Sequence, residues 1–208
     1  MEVIQDNFLN VIIKKPATKG FENVPSIIIQ GHMDMVCAKC PEIEHDFTKD
    51  GLKLVVKDGF LSAEGTTLGG DDGIAVAYGL ALLDSTDLPH PTLEVVFTVD
   101  EETGLLGADG FDCSLLKGRR MINLDSEKEG CLWVSCAGGV AGNSYLPVRR
   151  VDASGRKVNV KVCGLVGGHS GAEIHKNRAS ANILMGQFLY ELSHVCGYAL
   201  KELEGGQQ

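Results

Sequence analysis

Apolar positions along the chain gather into short β-branched runs that stop abruptly at polar clusters. Ile27-Ile28-Ile29 leads through Gln30 and Gly31 into His32, Met33 and Asp34. A run of this kind, closed by glycine, predicts a buried strand whose last residues emerge at the sheet edge. Thr92 to Val99 is a second such run, and it empties into Asp100-Glu101-Glu102-Thr103-Gly104, three acids followed by a glycine turn. Met121-Ile122-Asn123-Leu124 delivers Asp125 in the same way. Asn10 to Gly20 reads as a further strand, ended by a turn that contains Pro16 and pairing with the Ile27 strand. Leu52 to Leu61 carries Asp58-Gly59 between two apolar runs, the strongest short-range signal for a hairpin.

Helical spacing comes next. Gly69-Gly70-Asp71-Asp72-Gly73 precedes Ile74, Ala77, Leu80, Ala81 and Leu83, which recur on one helical face. Pro89 and Pro91 separate this helix from the Thr92 strand. The strand–helix–strand alternation predicts an α/β fold, a mainly parallel sheet with flanking helices. After a turn at Ser126 to Gly130 and a strand over Cys131 to Ala137, the texture shifts. Lys157 to Val162 alternates polar with apolar, the mark of a sheet with one face in water. Gly167-Gly168-His169-Ser170-Gly171 then precedes an amphipathic helix through Ile183, Leu184, Phe188, Leu189 and Leu192. Two domains are predicted, residues 1–138 and the start of an α+β domain over residues 139–208. The chain opens inside a sheet and ends on a polar tail without a closing strand, so both domains are expected to be partial.

Composition narrows the function classes. The chain has 208 residues, 44% of them hydrophobic, which fits a soluble globular protein. No apolar run approaches membrane-spanning length and no signal peptide opens the sequence, so a cytoplasmic location is expected. A net charge of -9 argues against nucleic acid or an anionic membrane as partner. It suits cation binding, and equally a solvated acidic surface. Seven cysteines without an export signal fit reduced thiols. Cys37 and Cys40 have C-x-x-C spacing but lack a second such pair, which makes them a weak zinc or redox signal.

Four segments thus end in metal-type ligands. The imidazole of His32 suits zinc, and Asp34, two positions on in an extended segment, points the same way and can take the other ring N–H. Asp71 or Asp72 reads equally well as a helix N-terminal cap. A nucleotide loop is discarded, because G-x-G-x-x-G is absent and two acids would repel a pyrophosphate. His45 and Asp46 read as loop residues beside the site. If the acids converge on His32, each pair of like charges about 4 Å apart repels by about 4 kcal/mol at an effective dielectric of about 20. Either they disperse into solvent or divalent cations neutralise them, and a histidine among them selects zinc-like ions over magnesium. Adjacent Glu101 and Glu102 cannot easily face one metal together, so one can ligate while the other accepts a proton from the attacking water.

Six strings, in order, resemble the M20 family of metallopeptidases, most closely its Xaa-His dipeptidase branch. They are residues 31–36 (Gly-His-Met-Asp-Met-Val), 45–50 (His-Asp-Phe-Thr-Lys-Asp), 66–73, Glu101-Glu102-Thr103-Gly104, Asn123-Leu124-Asp125-Ser126-Glu127 and residues 167–171. The resemblance implies a zinc-peptidase-like catalytic domain followed by the start of a lid or dimerisation domain. It makes His32 and Asp125 ligands of one zinc, Asp71 the bridge and Glu102 a ligand of the second zinc. Co2+ or Mn2+ would be substitutes. Glu101 becomes the general base, Asp34 the partner of His32, and His169 the lid histidine that helps bind substrate in dimeric relatives. The implied activity is zinc-dependent hydrolysis of dipeptides by a metal-bridging water, with a homodimer formed through the lid. Family members are considerably longer, and the second zinc's histidine comes from a later segment that this chain does not contain. The alternative is a catalytically incompetent metal-binding or dimerisation module of the same fold. A plain α/β domain with surface acids is a third reading.

Overall fold

The computed structural model describes residues 1–126, 128–136, 138, 140, 142–168 and 173–206. The chain divides into two compact units, Met1–Cys136 and Ala137–Gln208.

The first unit is built on strands β1 (Glu2–Gln5), β2 (Val11–Lys15), β3 (Ile27–His32), β4 (Leu54–Lys57), β5 (Phe60–Ala63), β6 (Leu93–Thr98) and β7 (Met121–Asn123). Helix α1 spans Gly70–Asp84, and a single turn, α2, spans Leu106–Asp109. Five strands form one sheet in the order β1-β2-β6-β3-β7. Every residue of β6 is buried, so β6 takes an interior place and not an edge. It runs parallel to β3, which in turn runs parallel to β7, while β2 adds antiparallel to its other side and β1 antiparallel to β2. The expected β2–β3 pairing is therefore corrected: β6 stands between them, because the fully buried strand is the one that gains from neighbours on both sides.

Alternation along the strands supplies a core on each face. Ile29, Val95 and Phe97 pack with Leu83 of α1 on one side, and Ile12, Ile28 and Val96 pack against Phe111, Leu115 and Leu116 on the other. Glu94 lies among the second set at 1% exposure. Its carboxylate accepts from the main-chain N–H groups of Lys117 at 3.0 Å and Gly118 at 3.1 Å, which satisfies the buried charge and fixes the entry into β7.

Helix α1 buries only part of the face its apolar spacing predicts. Ala75, Gly79 and Leu83 face the sheet, while Ile74 and Leu80 are exposed. Small residues win because the contact is close. A Cβ on Gly79 would lie 2.7 Å from the Phe97 ring and 3.0 Å from Val95, and one on Gly31 would strike Ala75 and Asp72. The β4–β5 hairpin forms as predicted, with Asp58 and Gly59 in the left-handed region that its tight turn requires. The strand expected over Cys131 to Ala137 does not form over Cys131–Cys136, and Ala137 lies outside the described residues.

In the second unit α3 spans Ala181–Val195. Ser180 is its N-cap, its side chain accepting from the Ile183 N–H at 3.5 Å. Ala181, Met185, Leu189 and Leu192 form its half-buried stripe. The strand expected over Lys157 to Val162 is absent, and this unit has no strand among the described residues. Alternation makes a segment competent for a sheet, but without a neighbour its N–H and C=O groups have no ladder to join. Among the described residues no helix is long and apolar enough to cross a membrane.

Candidate metal centre

The parallel strands β6, β3 and β7 all point their C-terminal ends at one place, the usual location for sites in open α/β sheets. His32 is the last residue of β3 and is 1% exposed. Its Nδ1 lies 3.1 Å from the main-chain oxygen of Asp34 and 3.4 Å from the Asp34 carboxylate Oδ1. The carbonyl takes the ring hydrogen bond while Asp34 Oδ1 accepts none, so the role predicted for the carboxylate falls to the main chain of the same residue, with the carboxylate charge close beside it. The other carboxylate oxygen, Oδ2, accepts from the Glu102 N–H at 3.1 Å. Asp34 thereby ties His32 to the acidic turn.

That turn is wound tightly. Gly104 and Leu105 donate their N–H groups to the Glu101 carbonyl at 2.9 and 3.0 Å, and Leu106 donates to Asp100. Asp100 and Leu105 adopt positive φ angles of 54° and 63°. The base of the turn is clamped from β2's approach by Asn10, which is 0% exposed. Its Nδ2 donates to Gly107 O at 2.9 Å and to Asp6 Oδ2 at 2.8 Å, and its Oδ1 accepts from the Val99 N–H at 3.1 Å. In sequence Asn10 is merely the polar head of a strand-like stretch, and only its burial reveals what it holds.

The third contribution comes from the start of α1. Asp71 and Asp72 have non-helical backbone angles, so the regular helix begins beyond them and each carboxylate is free to turn toward β3. Asp71 Oδ1 lies 3.1 Å from His32 Nε2. Asp72 is 1% exposed and its Oδ2 accepts from the His32 main-chain N–H at 3.2 Å. It also takes a backbone hydrogen bond from Ala75, the capping role read from the sequence. β7 delivers Asp125 from the remaining side, and a hollow of about 260 Å³ opens there between Asp71, Asp72, Leu124, Asp125 and Ser126.

Two groups of three side chains bring their ligand-type atoms within 4.8 Å of one another: His32, Asp71 and Glu102, and His32, Asp72 and Asp125. The four residues expected as ligands are thus brought together. Asp72, which the resemblance leaves outside the ligand set, joins them and stands with Asp125 where Asp71 was expected. His169 lies outside the described residues. His45 and Asp46 belong to a turn closed on itself, in which the Asp46 carboxylate accepts from Thr48 and Lys49.

The crowding of charge leaves its mark on proton affinities. Burial opposes protonation of His32, but the hydrogen bond with Asp71 and the charges of Asp125, Asp34 and Glu101 outweigh it and raise the imidazole pKa. Burial, with Asp125 in support, pushes the Asp72 carboxyl up to about 6 against the backbone hydrogen bonds from His32 and Ala75. Burial also raises Glu101, opposed by His32 and reinforced by Asp125, Glu102 and Asp71. Both ring nitrogens of His32 face oxygens, so a proton on each is favoured. A cation among Nε2 and the carboxylates would take over that neutralising role.

The sequence profile of Peptidase family M20/M25/M40 matches residues 28–136. The chain is 39% identical over 206 residues to the cytosol non-specific dipeptidase of Escherichia coli (strain K12), a match that covers 98% of this chain and 42% of that protein. Among solved structures it is similar to an aminoacylhistidine dipeptidase from Vibrio alginolyticus, with 38% identity and a TM-score of 0.65, covering 90% of this chain and 39% of that one. A tripeptidase from Staphylococcus aureus matches at 27% identity and a TM-score of 0.50, over 61% of this chain and 34% of its own. The chain spans about two fifths of the length of the first two of these relatives. On the match over residues 28–136, which hold every converging side chain described above, the chain belongs to peptidase family M20/M25/M40.

Proposed function

We propose that this chain carries the ligand-bearing and base-bearing part of a zinc-dependent dipeptidase that acts in the cytoplasm on unblocked dipeptides, those of the Xaa-His type among them. The observation that carries the reading is the meeting of one buried histidine with carboxylates from three other segments, within 4.8 Å of one another in two groups. The donor set fits divalent cations. It is rich in acid, short of positive side chains and supplied with an imidazole, which favours zinc over magnesium. Bound ions would polarise the scissile carbonyl and acidify the attacking water.

The chain's own residues have separate tasks. Asp34 orients His32 and ties it to the Glu102 backbone. Glu102 belongs to a ligand group, and Glu101, next to it, is left to receive the water's proton. Its raised pKa makes it a stronger base than an ordinary carboxylate, and a positioned base contributes roughly 10²–10⁴-fold. Asp71, Asp72 and Asp125 complete the ligand set. Family resemblance assigns His169 to the substrate carbonyl, and a homodimer through the second unit fits its lid role. Two experiments test the reading together. Calorimetry should find zinc bound, with binding lost in His32→Ala. Any hydrolysis of an Xaa-His dipeptide by the chain should fall at least about a hundredfold in Glu101→Gln while zinc stays bound. Undiminished turnover in that variant would contradict the base assignment, and a chain that ignores zinc would contradict the whole.

A further inference from the structure

Side chains outside the ligand set join the ends of β7, β6 and β3. The Asp125 N–H donates to Asn123 Oδ1 at 3.2 Å, and Asn123 Nδ2 donates to Gln30 Oε1 at 2.6 Å. Gln30 Nε2 donates to Thr98 Oγ1 at 3.2 Å, whose hydroxyl donates to the Gly31 carbonyl at 3.5 Å. Every group donates in the same sense, so each bond polarises the next. The series begins on the backbone of one expected ligand, Asp125, and ends on the residue before the other, His32.

Strand register accounts for the route. Gln30 lies opposite Asn123, and His32 lies opposite Thr98. Gln30 interrupts an otherwise apolar run at a half-buried position in the middle of the sheet. An unbonded amide there would cost stability, and an aliphatic residue would have served packing better. Asn123 is exposed, yet both ends of its amide are engaged. β7 ends at Asn123, so Asp125 lies beyond the strand, and its N–H is taken by this side chain.

We infer that Gln30 and Asn123 are positioning residues, which hold Asp125 at a fixed distance from His32 so that a divalent cation meets both ligands already in place. The inference rests on the metal reading of the site. Groups that orient metal ligands typically contribute 10–100-fold in affinity, and a relay acting through one ligand belongs near the lower bound.

The test is zinc calorimetry on the unmodified chain and on Gln30→Met, Asn123→Ala, Asp125→Asn and the double variant Gln30→Met/Asp125→Asn. Gln30→Met keeps the volume of the side chain and removes both bonds. It should weaken zinc by roughly tenfold with little change in the metal-free melting temperature. Asn123→Ala, at an exposed position, should do the same and carries the test if Gln30→Met does not fold. The double variant should bind no more weakly than Asp125→Asn alone, because the relay then has nothing to position. A Kd within about twofold of the unmodified chain in the single variants, or losses that add in the double variant, would overturn the inference. If the unmodified chain binds no zinc, the metal reading falls and takes the inference with it.

Discussion

Asp72 offers the sharpest perturbation, because a buried carboxyl held at about 6 makes the metal-free chain pH-dependent in a calculable way. In the unfolded chain an aspartate ionises near pH 4, so the native state holds this proton more tightly by about two pH units. At 1.36 kcal/mol per unit that amounts to about 3 kcal/mol as an upper estimate. The sign follows from which state binds the proton. Below about pH 4 both states are protonated and Asp72 has no effect. Between about pH 4 and pH 6 the unfolded chain releases the proton freely while the native chain keeps it, so native stability falls across this window and the full loss is present above it. Asp72→Asn removes the titration but keeps the shape and an oxygen to accept from the His32 and Ala75 N–H groups. Urea unfolding in the presence of a chelator, at intervals from pH 4 to 7.5, should therefore show the two proteins matched at the acid end. The variant should be more stable by up to about 3 kcal/mol at neutral pH. Parallel stability curves across the whole range would refute the reasoning. Zinc should reverse the order, since Asp72→Asn gives up a charged member of the group it forms with His32 and Asp125.

Other consequences are as concrete. Zinc affinity should weaken as pH falls through the raised pKa of His32, since protons compete for the ligand nitrogen; isothermal titration at pH 6 and 8 checks this, and equal affinities would count against His32 as ligand. Glu94→Leu strips the acceptor from the buried Gly118 N–H and the part-buried Lys117 N–H and should lower unfolding free energy by about 1–3 kcal/mol, read by denaturant titration. Gly79→Val should lower the melting temperature through overpacking against Phe97, at a cost of about 1–3 kcal/mol. An unchanged melting temperature would mean that α1 can slide away from the sheet.

What the sequence reveals depends on how local the cause is. The strand ends that carry His32, Glu101 and Asp125 were legible because each β-branched run and its polar terminus are contiguous, and the Asp58-Gly59 turn needs nothing beyond its own residues. Strand order was not legible, since β6 enters between β2 and β3 from about 60 residues downstream of β3. The face of α1 was read only in part because large apolar residues dominate a periodicity argument: Leu83 does reach Val95 and Phe97, but the close approaches to Phe97 and Gly31 are made by Gly79 and Ala75. Spacing likewise could not say which of two adjacent acids turns inward, and so Asp72 went unassigned. Asn10 looked like the polar head of a strand, although its buried amide fixes both ends of the Glu101 turn. Alternation over Lys157 to Val162 suggested a strand, but pairing is a property of two segments.

The central claim is that a histidine and its surrounding carboxylates, and not the nearby thiols, hold the metal. X-ray absorption at the zinc edge on the chain loaded with zinc tests it most directly. The account predicts a shell of nitrogen and oxygen alone at about 2.0–2.2 Å that includes imidazole scattering. A sulfur shell at about 2.3 Å, pointing to Cys37 and Cys40, would contradict it.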